Sequence, residues 1–288
     1  MTAGQVESSG RGTAGLRSRS FIALLVTQGF GSLNDNIFRW FCVLQGMKIA
    51  SMKTSTMSLG LICFTIPYLL LASHSAYVSD RFSKRKTIVA CKFAEIVIMA
   101  IAVGAMALGA VDEMLGIYLV FAAVFLMGSQ SAMFGPAKFG SIPEIVRSEK
   151  ISAANGLMQM VTTAASALGM FAGFVVSAMA DLSTSDPTLG GLMWPAAVLI
   201  SIATLGMLAS LFIEPLTSAD PELKPPNPLI ETVANLRLLF DNRPLFRAAL
   251  GEAFFWFLAS LATAAITLMG AEELGLTVDQ VVVEVVGT

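Results

Sequence analysis

Gln28-Gly29-Phe30-Gly31-Ser32-Leu33-Asn34-Asp35-Asn36-Ile37-Phe38-Arg39 stands in the middle of the first long apolar stretch of the chain, which runs from Phe21 to Met47. At a helical rise of 1.5 Å per residue, about 20 residues cross the hydrocarbon core of a bilayer, so this stretch is long enough to span. Its centre is nevertheless polar. Gln28, Ser32, Asp35, Arg39, Cys42 and Gly46 recur at i, i+4, i+7, i+11, i+14 and i+18, which places them on one narrow stripe of a helix and leaves the rest to lipid or packing. A carboxylate at that depth costs about 2.5–3.5 kcal/mol on insertion scales, so it is expected to face a partner or a water-filled cavity. Two readings follow. Asp35 and Arg39 neutralise each other one turn apart while Asn34 and Asn36 fix neighbouring helices, or the four residues form a site.

The composition places the whole chain in the membrane class. Of its 288 residues 55% are hydrophobic and 13% charged, with mean hydropathy +0.74, whereas soluble domains carry about a quarter charged residues. A net charge of −2 offers no bulk field for nucleic acid. Cys42, Cys63 and Cys91 are odd in number and lie in apolar spans, so they read as small packing residues. The lone His74 cannot build an imidazole metal site, and no metal or cofactor is expected. With no Walker loop and no His-x4-Asp pattern, the chain is expected not to be an enzyme or an ATP-driven pump.

Seven apolar spans are expected, at 21–47, 57–78, 87–110, 115–134, 151–180, 189–213 and 245–269, with an eighth begun after Leu276. Residues 1–20 are polar and read as a disordered cytoplasmic tail, 21–213 as a six-helix transmembrane block, 214–244 as a proline-rich cytoplasmic linker, and 245–288 as the start of a second block. Within the linker, Leu229, Ile230, Val233, Leu236 and Phe240 recur at helical spacing, which predicts a short surface helix. Arg81, Lys84, Arg85, Lys86, Lys138, Arg147, Lys150 and the linker cations fall on one side, against Lys48 and Lys53 on the other, which puts the N-terminus in the cytoplasm. A second block begun and not finished is expected of a piece of a longer two-block protein.

The junction of spans two and three reads Ser73-His74-Ser75-Ala76-Tyr77-Val78-Ser79-Asp80-Arg81-Phe82-Ser83-Lys84-Arg85-Lys86-Thr87-Ile88. It resembles the loop motif of major facilitator transporters at Asp80, Arg81, Lys84, Arg85 and Ile88, while Ala76 and Ser83 replace the two family glycines. Asp80 is expected at the start of the third helix as an N-terminal anion, with the cations clamping helix ends or lipid phosphates; plain positive-inside anchoring is the other reading. Leu33-Asn34-Asp35-Asn36, the run Phe134-Gly135-Pro136-Ala137-Lys138-Phe139 with Ala154-Asn155-Gly156-Leu157, and Phe254-Phe255-Trp256-Phe257 narrow the resemblance to the lysophospholipid transporter branch, whose members occur alone or fused to an acyltransferase and an acyl-carrier-protein synthetase.

That resemblance implies an all-α membrane protein of the major facilitator type, seen as its N-terminal six-helix block plus the start of the second, and secondary transport of lysophospholipid across the bacterial inner membrane by alternating access. A proton-coupled exporter of small amphipathic compounds, with Asp35 as carrier, is the alternative, and a membrane anchor for a fused acyltransferase or synthetase is the third reading. The expected partners are the lipid bilayer and an amphipathic small molecule. Asp35 would meet a head-group ammonium, Arg39 a phosphate and Asn34 or Asn36 a hydroxyl, with the acyl chain on faces bearing Phe38 and Phe41. Gln28, and on span five Asn155 and Gln159, would border the cavity, although the stripe continuing through Thr162, Ser166, Gly169 and Gly173 equally reads as a close helix contact. Lys138, at the expected end of helix four, would meet phosphate or a facing carboxylate. Glu252 would take protons or pair with Arg243 or Arg247.

Overall fold

A computed structural model describes residues 12–49, 53–109, 113–182, 190–218, 220–225 and 227–272. The chain divides into two compact units, Met1–Pro225 and Pro226–Thr288. The first holds α1 (Arg19–Ile49), α2 (Lys53–Arg81), α3 (Lys84–Gly109), α4 (Glu113–Ile145), α5 (Ile151–Leu182) and α6 (Gly190–Ser210); the second holds α7 (Pro228–Asp241) and α8 (Arg243–Glu272). Among the described residues, five helices are long and apolar enough to cross a membrane, α2 to α6. The polar centre of α1 keeps that 31-residue helix out of the set. The expected eighth span lies outside the described residues.

The helices of the first unit pack as two pairs of neighbours around α1 and α4, with α5 and α6 against α1, and α2 and α3 against α4. Small residues set the closest approaches. A Cβ on Gly169 of α5 would sit 2.6 Å from the Leu33 carbonyl oxygen, and one on Gly173 2.8 Å from Trp40 Cβ, so both glycines let the α5 backbone lie directly on α1. Gly128 of α4 likewise lies on the Phe64 carbonyl of α2. The small-residue stripe of span five is thus a helix contact along its Gly169–Ser177 half, while Asn155 and Gln159 are exposed.

Two apolar clusters stack along the helix axes. One gathers Phe38, Phe41, Met99, Val124, Met127 and Leu199; the other gathers Phe21, Leu24, Ile88, Phe134, Ile142 and Met158. Phe38 and Phe41 are 0% and 1% exposed, which removes them from the acyl-chain role expected of them. Between the clusters, α1, α3 and α4 each cross a layer of polar residues.

On the N-terminal side of α1 the chain is tied down rather than loose. Gly12 N–H donates to the Pro143 carbonyl (2.9 Å), Ala14 N–H to Ile145 (3.2 Å), and Arg147 returns a bond to Ala14 (3.1 Å). Residues 12–18 therefore depart from the disordered tail expected over 1–20, because Gly12 alone has room against the Ile145 backbone. Helix α4 also departs from expectation: it runs through Pro136 and Pro143 to Ile145 instead of ending near Pro136. Prolines remove single helical donors, which membrane helices tolerate.

The α2–α3 junction grips the segment that leaves α6. Arg81 donates to the Leu223 carbonyl, Ser83 Oγ to Leu216 (2.6 Å) and Arg85 to Leu211 (3.0 Å), while Asp220 N–H donates to the Asp80 carbonyl (3.0 Å). Asp80 is exposed in the last turn of α2, so it is not the N-terminal anion of α3. Lys84 crosses Gly140 to pair with Glu144. In the second unit, Asn242 Oδ1 caps α8 by accepting from Leu245 N–H (3.2 Å), and Phe240 meets Phe246 at 5.3 Å across the α7–α8 turn.

Two outcomes test this packing. Gly169→Ala and Gly173→Ala should each destabilise the α1–α5 contact by about 1–3 kcal/mol, read as a lower Tm in detergent. Gly156→Ala, whose Cβ meets open space, should leave Tm unchanged or raise it. Arg81→Ala should speed Glu-C cleavage after Glu222 by freeing the gripped segment, whereas Arg247→Ala on exposed α8 should not.

Candidate functional site

Along α1, the stripe of polar residues divides into two jobs. Gln28, 4% exposed, donates to Ser32 Oγ (2.7 Å) and Thr162 Oγ (2.8 Å), and Thr162 passes its proton to the Met158 carbonyl (2.8 Å). Gln28 is therefore a bridge from α1 to α5. Asn36 donates to the Ser32 carbonyl (2.8 Å) and accepts from Arg39 Nη2 (2.8 Å), and the Arg39 guanidinium lies 5.2 Å from the Phe64 ring of α2. Asp35 and Arg39 make no ion pair. The one-turn neutralisation open at the sequence level is replaced by an Arg39–Asn36–Ser32 chain along one face.

Asp35 instead points to α4. Ser131 Oγ stands 2.6 Å from Asp35 Oδ2 and 3.1 Å from Gln130 Oε1, and its single proton goes to the closer carboxylate. The second oxygen, Asp35 Oδ1, is buried with no hydrogen-bond partner. Gln130 in turn donates to the Cys91 carbonyl of α3 (3.1 Å). A half-buried carboxylate with one satisfied and one vacant oxygen is an acceptor held ready for a donor.

Beneath it lies a pair that sequence reading passed over. Lys92 and Glu95 of α3 are 2% and 0% exposed, and Lys92 Nζ donates to Glu95 Oε2 while Asn34 Nδ2 donates to Glu95 Oε1 at 2.8 Å. The Lys92 ammonium occupies the space that a Cβ on Gly31 would need and lies 4.9 Å from the Phe134 ring centroid. Asn34 Nδ2 is thereby spent inside the bundle, while its Oδ1 is buried without a hydrogen-bond partner on a residue 0% exposed, away from the head-group hydroxyl expected of it. The signal was present: two charges at i, i+3 inside an otherwise apolar span deserve the same question as Asp35. Asp35 lies in the fields of Glu95, Lys92 and Arg39.

Lys138 sits on the other flank of Phe134, with Nζ 5.6 Å from that ring and 4.6 Å from Phe139. It makes no ion pair among the described residues, and the field of Asp35 reaches it. The remaining expected residues are elsewhere. Arg81 and Arg85 hold backbone carbonyls, Lys84 holds Glu144, and Asp80 is exposed. Glu252, in the second unit, accepts from Trp256 Nε1 one turn on (2.8 Å) and does not pair with Arg243 or Arg247. Its neighbour in sequence order, the aromatic run on α8, supplies that donor.

Within the first unit the structure joins Asn34 and Asp35 of α1 with Lys92, Glu95, Gln130 and Ser131, sets Asn36 and Arg39 along the next turn of α1 and Lys138 within the field of Asp35, and leaves Asn155, Gln159 and Asp80 exposed. Comparison with known proteins agrees with this architecture. The Lysophospholipid transporter LplT of Serratia proteamaculans (strain 568) is 27% identical over 244 residues, covering 84% of this chain and 55% of that protein. That of Yersinia pestis (strain Pestoides F) is 27% identical over 243 residues, covering 84% and 54%. The chain spans about half the length of the curated relatives it matches. No solved structure matches it. The Major Facilitator Superfamily model matches residues 19–287. The chain belongs to the Major Facilitator Superfamily.

Proposed function

We propose that this chain supplies the first half of a secondary transporter that carries lysophospholipid from the outer to the inner leaflet of the cytoplasmic membrane by alternating access, with its N-terminus in the cytoplasm. The observation that carries the reading is the vacant, buried Oδ1 of Asp35 at the middle of a membrane helix. An ammonium brings the donors that oxygen lacks, and a charge-assisted bond there contributes about 1.5–3 kcal/mol. The names of the relatives supply the cargo class, and the positions of the cations suit it.

With the N-terminus inside, α1 runs outward and α4 runs inward, so Arg39 lies on the outer side of Asp35 and Lys138 on the inner side. A zwitterionic head group entering from outside meets Arg39 with its phosphate first. As the ammonium settles on Asp35, the phosphate passes to Lys138, whose charge has no carboxylate partner among the described residues. This ordering refines the Arg39–phosphate assignment drawn from sequence. Proton-coupled export of an amphipathic cation uses the same vacant oxygen and differs in direction and coupling.

Asp35→Asn in the intact protein, reconstituted in proteoliposomes, should lower initial uptake of labelled lysophosphatidylethanolamine about tenfold or more. The loss should be much smaller for lysophosphatidylglycerol, which has no ammonium. Undiminished uptake of both removes the reading, and dye efflux driven by a pH gradient with no lysolipid uptake selects the exporter. Lys138→Gln should lower uptake of both lipids alike, since both carry the phosphate.

A further inference from the structure

The transport reading leaves the most deeply buried charges in the bundle without a task. Lys92 and Glu95 are 2% and 0% exposed, so neither touches cargo in this conformation. Apolar side chains would bury at those positions without the desolvation cost that an ion pair carries, so the pair provides something that packing alone does not. What it provides is direction. Glu95 holds two donors at once, Lys92 Nζ from its own helix and Asn34 Nδ2 from α1.

Three contacts make this hold specific to one rotation of α1. Gly31 has no side chain, and the Lys92 ammonium fills that place. The Lys92 stem packs against α6 at Gly206, with Cδ 3.7 Å from where a Cβ there would stand, an ordinary contact distance. Phe134 of α4 faces the ammonium at 4.9 Å. Asn34 precedes Asp35 by one residue, so a helix fixed in azimuth at Asn34 is fixed at Asp35, which then points at Ser131. A turn of α1 about its axis would break the Asn34–Glu95 bond and press Gly31 past the ammonium.

We propose that Lys92 and Glu95 are positioning residues: the buried pair pegs α1 through Asn34 and Gly31 in the rotation that aims Asp35 at Ser131 and keeps its second oxygen presented. The inference rests on the transport reading for its uptake readout, and a second readout is independent of any cargo. Cys42 is 0% exposed, seven residues after Asp35 on α1, and its thiol reports the rotation of that helix.

The test uses the intact protein with Cys63→Ser and Cys91→Ser, so that Cys42 alone reacts with a membrane-permeant maleimide. Lys92→Met/Glu95→Leu removes both charges together and leaves none stranded. It is expected to insert normally, to label at Cys42 about tenfold faster as α1 loses its fixed rotation, and to lose lysophosphatidylethanolamine uptake about 10- to 100-fold, as a displaced binding group does. Asn34→Ala, which keeps the Lys92–Glu95 pair, should do the same, and adding it to the double variant should cost nothing further.

Wild-type uptake with Cys42 still protected in the double variant overturns the proposal. So does lost uptake with Cys42 still protected, or an additive loss on adding Asn34→Ala, which would make Asn34 a cargo ligand. Should the double variant fail to insert, Asn34→Ala alone decides by the same two readouts. Should the wild-type protein move no lysolipid, the transport reading falls, while Cys42 labelling still judges the peg.

Discussion

The first unit is arranged around a largely buried polar layer whose groups must find partners within it. Between the two apolar clusters, α1, α3 and α4 bring Asn34, Asp35, Lys92, Glu95, Gln130 and Ser131 together. An unpaired charge there would cost several kcal/mol, by roughly the effective penalty for a desolvated ion. Glu95 is therefore met by Lys92 and Asn34, and Gln130 by the Cys91 carbonyl. Two oxygens are the exceptions: Asp35 Oδ1 and Asn34 Oδ1 are each buried with no hydrogen-bond partner. Asn34 is 0% exposed while Asp35 is only half-buried, so the Asp35 carboxyl is the open acceptor that outside chemistry can reach.

That layer depends on how close the helices come. Hydrogen bonds between side chains as short as Asn and Ser need backbones near contact, and glycine supplies it at Gly128, Gly169 and Gly173, while Gly31 makes room for the Lys92 ammonium. The grip of Arg81, Ser83 and Arg85 on residues 211–223, and of Gly12–Ala14 on residues 143–147, ties the ends of the bundle on one side. Arg81 and Arg85 of the family loop motif thus end on main-chain carbonyls of this same unit, and Lys84 on the Glu144 carboxylate.

Much of this was legible in the sequence because periodicity is local. The spacing of Gln28, Ser32, Asp35 and Arg39 showed a polar stripe, and Gly169 with Gly173 showed a close contact. Partner choice was not legible, because it depends on which helices meet. Nothing local says that Gln28 will reach Thr162, or that Arg39 will turn to Asn36 and Phe64 while Asp35 turns to Ser131. Phe38 and Phe41 read as faces open to an acyl chain for the same reason: a helix that is apolar on several faces does not reveal which face the neighbours cover. Lys92 and Glu95 were legible and were hidden by counting the span as apolar, since two charges in a long hydrophobic run barely change its mean hydropathy.

The distribution of charge then narrows what can bind. Lys92 is spent on Glu95, and the Arg39 guanidinium is shared between Asn36 and the Phe64 ring. Asp35 and Arg39 on α1 and Lys138 on α4 make no ion pair among the described residues, and the field of Asp35 reaches Lys138. An anion alone would satisfy Lys138 and be repelled by Asp35; a cation alone would meet the reverse. On the transport reading proposed above, a molecule bearing both signs a few bonds apart matches Asp35 and Lys138 together, and Lys92, already paired with Glu95, leaves Lys138 as the lysine beside Phe134 that is open to the negative end.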